Sequence, residues 1–234
     1  MCFSATVSYS ASVVLVTTGL YAVHLSRKLP TPYWIMMGLT PVFFGIQQAF
    51  EGKVWQVVET SSASNAVPYA LGFLFFSHFL WLWWIPLSSY LVEPGKLQRR
   101  VFLGITLFGL FAGTLVYSAL LLNPDWTSIE VEKHHIIYNV ASPYRGPIHL
   151  GIPPSALYAL VILVPLLFSS HRGIRTFGIL VVCSVLLASL AYGYAFVSVW
   201  CLFAAVLSFY LVFMLAALHR SATPTALNRT HSNN

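Results

Sequence analysis

The chain has 234 residues, of which 58% are hydrophobic and only 8% are charged. Soluble domains carry about 25% charged residues, so this composition excludes a soluble globular protein and predicts a polytopic membrane protein. The net charge of +6 comes from short basic clusters between apolar runs, and because these form no continuous patch, we expect no nucleic-acid partner.

Apolar runs long enough to cross a hydrocarbon core of roughly 30 Å as helices recur seven times along the chain. They predict an all-α membrane protein with a seven-helix transmembrane domain over residues 1–220 and a flexible cytoplasmic tail over residues 221–234. The predicted spans cover residues 6–26, 33–58, 67–91, 101–122, 151–169, 177–193 and 197–219.

Lysine and arginine are concentrated in the connections after the first, third and fifth runs and in the C-terminal tail. The connection after the second run has Glu59 and no basic residue. By the positive-inside rule, this pattern predicts an N-terminus outside and a C-terminus in the cytoplasm, with the protein in the inner (plasma) membrane. The basic residues are Arg27, Lys28, Lys96, Arg99, Arg100, Arg172, Arg175, Arg220 and Arg229.

The second run, at residues 33–58, carries polar residues at depths where a membrane helix rarely has them. Gln47 or Gln48, Glu51 and Trp55 follow Phe44 at three- and four-residue spacing, so they form one stripe of a helix. An acid inside the membrane costs a few kcal/mol and is by default a candidate functional residue. We therefore expect Glu51 to face the interior of the bundle.

The third run supplies the expected partner of Glu51, because Ser77 and His78 lie near its middle. Lys53 cannot pair with Glu51 on the same helix, since two residues correspond to a rotation of about 200°. A buried carboxyl group that only ties helices together is the alternative interpretation. Farther along the third run, an aromatic belt at the cytoplasmic interface is expected from Trp81, Trp83 and Trp84.

Small residues recur at four-residue intervals in the first and fourth runs. Such faces let membrane helices approach closely. Packing within one chain is the favoured interpretation, and a homodimer through these faces is the alternative. The residues are Ser4, Ser8 and Ser12 in the first run and Gly109 and Gly113 in the fourth.

The connection at residues 123–150 is too long for a simple turn. Its segment SIEVEKHHIIYNV contains two short alternating runs on either side of residues 132–135, which favours a small β-hairpin between the fourth and fifth helices. An interfacial amphipathic helix is the alternative. We expect this connection to form a lid over the outer opening of the bundle, carrying His134 and His135, with His149 shortly before the fifth run.

These polar residues suggest a metal site. Imidazole and carboxylate groups suit zinc, and a catalytic zinc needs three protein ligands and one open position. One hypothesis is therefore a membrane-embedded, zinc-dependent hydrolase that acts on a lipid-like or small apolar substrate. Its catalytic residues would be Glu51 and His78, and its zinc ligands would come from His78, His134, His135 and His149. Its substrate-binding residues would be Gln47, Gln48, Ser77, Trp55 and Cys2.

A second hypothesis is a transporter or sensor that binds a proton, a cation or a small polar ligand at Glu51. The chain has no HExxH or HxxxH pair, so metal ligands would have to come from separate elements. At the level of sequence the two hypotheses stand side by side.

Three segments resemble an uncharacterised bacterial family of membrane proteins whose chains open Met-Cys-Phe-Ser-Ala. They are MCFSA at the N-terminus, FFGIQQAFEG in the second run and FVSVWCLFAA at residues 196–205. The resemblance implies a small multi-span inner-membrane protein and no established reaction. It marks Cys2, Gln47, Gln48, Glu51 and Gly52 as a shared signature.

Overall fold

The computed structural model describes residues 4–132, 135–140, 154–191 and 196–231. These residues are predominantly helical, and within them each predicted apolar run coincides with a helix. A π-helical turn at Phe76–Leu80 joins α3 to α4, so the two form one continuous helix. The helices are α1 (Ala5–Ser26), α2 (Trp34–Thr60), α3 (Val67–Phe75), α4 (Trp81–Val92), α5 (Lys96–Leu122), α6 (Pro154–Leu167), α7 (Arg172–Ala191) and α8 (Phe196–His231).

Four helical stretches of the described chain are long and apolar enough to cross a membrane: Ala5–Ser26, Ala63–Val92, Lys96–Leu122 and Ala205–Ala222. The fold is therefore that of a helical membrane protein. α2 is long enough as well, but the polar residues near its centre lower its hydropathy. At the C-terminus, α8 continues to His231, through most of the predicted tail.

α1 and α2 pack against each other along most of their length, in antiparallel directions. Glycines at positions 38, 45 and 52 share one face of α2, since they are seven residues apart. A Cβ atom at Gly45 would lie 3.0 Å from the Ser12 carbonyl oxygen, and one at Gly52 would lie 3.0 Å from the Tyr9 ring. The serine face of α1 therefore lies against α2 of the same chain.

The glycine face of α5 is also covered from within the chain. A Cβ atom at Gly109 would overlap the carbonyl oxygen of Leu82, and one at Gly113 would lie 3.1 Å from the Cα of Phe79. Both contacts are to the π-helical turn or α4, so the small residues allow α5 to lie directly against that helix.

The connection after α5 forms the predicted β-hairpin, and the alternative of an interfacial helix is wrong. β1 (Thr127–Glu132) pairs antiparallel with β2 (His135–Val140). Ile129 and Ile136 point into an apolar cluster with Val54 and Trp55 of α2. Tyr138 stacks on Phe73 of α3 with ring centroids 4.8 Å apart. The hairpin thus covers the end of the bundle where α2 ends and α3 begins.

At the opposite end, a buried acid ties α4 to the connection between α6 and α7. The Glu93 carboxylate, 2% exposed, accepts hydrogen bonds from Ser169 Oγ at 3.0 Å, Ser170 N at 2.9 Å and Gly95 N at 3.2 Å. Burial by itself raises the pKa of Glu93, but the bonds from Ser170, Gly95 and Ser169 outweigh burial and hold the pKa below its usual range. Glu93 is therefore a charged anchor between two connections.

The close packing of α5 can be tested by substituting two of its glycines. Gly109→Ala should lower the thermal unfolding temperature of the purified protein, because the added methyl group meets backbone that cannot move aside. Gly104→Ala is the matched control, since its Cβ would have no atom within 4 Å. The control should be neutral or stabilised by up to about 1 kcal/mol, the helix-propensity gain of alanine. Equal unfolding temperatures for the two variants would contradict the contact with Leu82.

Candidate functional site within the helix bundle

Three polar side chains near the centre of α2 are completely buried. Gln47, Gln48 and Glu51 are each 0% exposed, and Gln48 Nε2 donates a hydrogen bond to Glu51 Oε2 at 3.3 Å. The three residues lie within about one helical turn. They face the interior of the protein, so the structure places an acid and two amides together where apolar side chains would be usual.

Trp81 of α4 connects this polar group to the third predicted span. Its Nε1 donates to Gln47 Oε1 at 2.9 Å, and its ring stacks on Phe44 with centroids 4.1 Å apart. One turn on, Trp84 Nε1 donates to Thr40 Oγ1 at 3.2 Å. Both indoles are buried, so the expected aromatic belt is wrong for these two residues. A buried indole needs an acceptor for its N–H, and α2 provides one for each.

The expected pairing of Glu51 with Ser77 or His78 is not what the structure shows. Ser77 Oγ donates to the Leu74 carbonyl oxygen at 3.4 Å and lies 2.9 Å from His78 Nδ1. The hydrogen bonds of both residues are therefore local, and the bond across to α2 comes from Trp81. Ser77 and His78 lie on the π-helical turn, which changes the angular position of side chains along the helix; such turns are frequent at functional sites.

The histidines of the predicted lid are only partly described. His135 lies on β2 opposite Glu132 and is 4% exposed, whereas His134, His149 and Cys2 fall outside the described residues. Among the described residues, no three His, Cys, Asp or Glu side chains lie close enough to form a metal site. His78 and His135 are the zinc-ligand candidates whose positions the structure gives.

Two buried polar atoms near this region make no hydrogen bond to any residue that the structure describes. They are Ser8 Oγ of α1 and Trp55 Nε1 of α2, in side chains that are 0% and 4% exposed. Trp55 is one turn beyond Glu51 on the same stripe, and Ser8 lies in α1 next to Tyr9, which contacts Gly52. A buried, unpaired polar group costs about 1–3 kcal/mol. Both atoms would be stabilised by a polar ligand or a water molecule.

Lys53 does not contribute to the buried group. Its Nζ donates to Gln56 Oε1 at 2.9 Å and lies 5.6 Å from the centre of the Tyr69 ring. Its charge is therefore directed toward the end of α2 and away from the Glu51 carboxylate, as its position on the helix requires.

Comparison with known proteins gives one match. The profile of a family described as a family of unknown function (DUF6629) matches residues 1–228. No curated protein matches the chain, and no solved structure matches it.

The Trp81–Gln47 hydrogen bond can be tested with two matched substitutions. Trp81→Phe keeps a ring against Phe44 but removes the N–H donor, so we expect it to lower stability by about 1 kcal/mol more than Trp83→Phe does. Trp83 is the control because its Nε1 is buried and has no hydrogen-bond partner within the described part of the chain. Thermal unfolding of both variants beside the wild type measures the difference, and equal losses would count against the bond.

Proposed function

The chain belongs to this family of unknown function, and we propose that it is a multi-pass plasma-membrane protein that binds a proton or a small cation at Glu51, as a transporter or a sensor. The observation that carries the proposal is the complete burial of Glu51 with Gln48 bonded to its carboxyl group. Acids at such positions are costly and mark proton or ion sites in membrane proteins.

The chemistry of a buried carboxyl group favours a positively charged ligand. An ionised carboxylate accepts hydrogen bonds only, and burying it costs several kcal/mol unless positive charge compensates. A bound proton or cation lowers that cost and adds to the contacts that Glu51 makes within the protein. The indole N–H of Trp55 and the hydroxyl of Ser8, which bond to none of the described residues, would provide further polar contacts for a hydrated or organic cation.

We also propose seven membrane crossings, with the N-terminus outside and the C-terminus in the cytoplasm. Two contacts support this orientation. Glu93 bonds to Ser169 and Ser170, and the Trp34 ring lies 5.0 Å from the His171 ring. The three basic connections, after the first, third and fifth predicted spans, therefore meet at one end of the bundle. Their common charge is what the positive-inside rule requires of a cytoplasmic face.

Reporter fusions test this topology. A reporter fused after Lys96 or at the C-terminus should behave as cytoplasmic, because both positions follow an odd number of spans from an external N-terminus. A reporter inserted within residues 61–65 should behave as external. External activity after Lys96 would overturn both the number of spans and the orientation.

A zinc-dependent hydrolase is the second candidate function. Two observations favour it: His135 is buried on the hairpin, and Ser77 and His78 lie on a π-helical turn of the kind that recurs at functional sites. Here His78 and His135, together with His134 and His149, would hold the zinc ion, and Glu51 would act as a ligand or general base. The substrate would be lipid-like or a small apolar molecule.

Glu51→Gln distinguishes a ligand site from a structural carboxyl group. The amide keeps the size and hydrogen-bonding capacity of the acid but cannot bind a proton or pair with a cation. We expect the unfolding temperature of the wild-type protein in lipid nanodiscs to depend on pH or to rise with small cations such as methylammonium. The Gln variant should fold but lose this response. Glu59→Gln is the matched control, because Glu59 is exposed on the same helix.

Three outcomes separate the candidates. Glu51→Gln and Glu59→Gln variants that both respond like the wild type would reduce Glu51 to a structural role. About one equivalent of zinc per purified chain, lost in His78→Ala or His135→Ala, would favour the hydrolase. A metal-free protein whose unfolding temperature depends on pH or on a cation through Glu51 would favour the transporter or sensor.

A further inference from the structure

The end of the bundle opposite the hairpin carries a concentration of exposed positive charge. It lies where the connections after the first, third and fifth predicted spans meet. Lysine and arginine side chains are charged at neutral pH, and those of this end are exposed to solvent. The exposed cations that we call the basic face are Arg27, Lys28, Lys96, Arg99, Arg100 and Arg172.

The acidic side chains of the protein leave this charge uncompensated. The chain has six Asp and Glu residues, all of them in the part that the structure describes. Four lie at the hairpin end: Glu59, Asp125, Glu130 and Glu132. Glu51 is completely buried, and the Glu93 carboxylate is 2% exposed and already bonded to Ser169, Ser170 and Gly95. The protein therefore has no exposed side-chain carboxylate to pair with the basic face.

The anchor at Glu93 brings the beginnings of α5 and α7 together. Gly95 N lies 3.2 Å from one oxygen of the Glu93 carboxylate, and Ser170 N lies 2.9 Å from the other. Lys96 follows Gly95 directly, and Arg172 is two residues after Ser170. Their long side chains start from neighbouring points of the surface, so a single anionic group can contact both.

These cations also lie where a helix disfavours them. The helix dipole places partial positive charge at an N-terminus, so acids are favoured there and cations are not. α5 and α7 have no acid in their first turns, which instead contain Lys96, Arg99 and Arg172. The positive-inside rule asks only for basic residues near the cytoplasmic ends of the spans and does not require them in these turns. A bound anion relieves the repulsion that this arrangement creates.

Exposed apolar side chains on α5 lie directly beside the basic face. Leu97 and Val101 are 73% and 46% exposed, and Arg100 lies between them in the sequence. Phe108, 45% exposed, continues the same side of the helix seven residues beyond Val101. A soluble anion would contact only the cations of this surface. A phospholipid contacts the cations with its headgroup and the apolar side of α5 with its acyl chains.

We propose that the basic face binds the headgroups of anionic phospholipids, and that Lys96 and Arg172 hold one such headgroup between α5 and α7. This inference goes beyond the proposed function, because it concerns the other end of the bundle and needs no ligand at Glu51. It is also independent of the orientation of the chain in the membrane. Each Lys or Arg beside an anionic membrane surface strengthens binding about fivefold.

The experiment uses the full chain in a neutral detergent and three probes: dioctanoyl phosphatidylglycerol, dioctanoyl phosphatidylcholine and inorganic phosphate. Native mass spectrometry measures the affinity of each. We expect phosphatidylglycerol to bind about 25-fold more tightly than phosphatidylcholine, the product of about fivefold for each of two cations. Inorganic phosphate at the same concentration should not displace phosphatidylglycerol, because it has no acyl chain to contact α5.

Three substitutions locate the bound headgroup. Lys96→Gln and Arg172→Gln should each weaken the binding of phosphatidylglycerol about fivefold and leave that of phosphatidylcholine unchanged. Lys53→Gln is the matched control, because it removes the same charge at the hairpin end, where Lys53 bonds to Gln56; it should bind like the wild type. Lys96 and Arg172 are exposed, so their variants should fold, and thermal unfolding checks this.

Each contrary result overturns a definite part of the inference. Equal affinity of the wild type for the two lipids would overturn the selection of anionic headgroups. An equal loss in Lys53→Gln would show that total charge, and not the basic face, determines binding. A loss in only one of Lys96→Gln and Arg172→Gln would overturn the shared headgroup, and inorganic phosphate that binds as tightly as phosphatidylglycerol would replace the lipid by a soluble anion. None of these results bears on the cation site at Glu51, which Glu51→Gln tests separately.

Discussion

The organisation of this bundle depends on one constraint: the polar side chains at the centre of α2 have to find their hydrogen-bond partners within the protein. In a hydrocarbon environment no solvent is present to hydrogen-bond an acid or an amide. Gln48 donates to Glu51, and Trp81 of the neighbouring helix donates to Gln47. These hydrogen bonds hold the centre of α2 in place, whereas a purely apolar helix at the same depth in the membrane would rely on packing alone.

α2 meets this constraint because its glycine face and its polar stripe contact different helices, α1 and α4. The glycine face at positions 38, 45 and 52 lies against α1, and the polar stripe through Gln48 and Glu51 lies about a quarter of a turn away at about 100° per residue. Close contact on the glycine face fixes the rotation of α2 about its axis. That rotation in turn directs Gln47 toward Trp81 and keeps Glu51 out of the lipid.

The sequence was sufficient for the features that depend on local periodicity. Apolar runs predicted the helices, alternation at residues 127–140 predicted the hairpin, and the energetic cost of a lipid-facing acid predicted the burial of Glu51. It was insufficient where one helix meets another. The π-helical turn shifts the angular position of the residues after Phe76, so Trp81, rather than Ser77, reaches α2. The anchor at Glu93 likewise joins residues more than seventy positions apart, which no local pattern can indicate.

The stripe on α2 changes character along its length, and Glu51 lies at the change. Toward the hairpin it continues to Trp55, whose buried indole N–H finds no acceptor among residues 4–132, 135–140, 154–191 and 196–231. In the other direction it passes Gln47 and reaches Phe44, which lines an apolar cavity between α2, α4, α6, α7 and α8. A small inorganic ion would use only the polar part of such a stripe. The apolar and polar parts of the stripe are about 10 Å apart along α2, and Trp81 contacts both, since it lines the cavity and donates to Gln47.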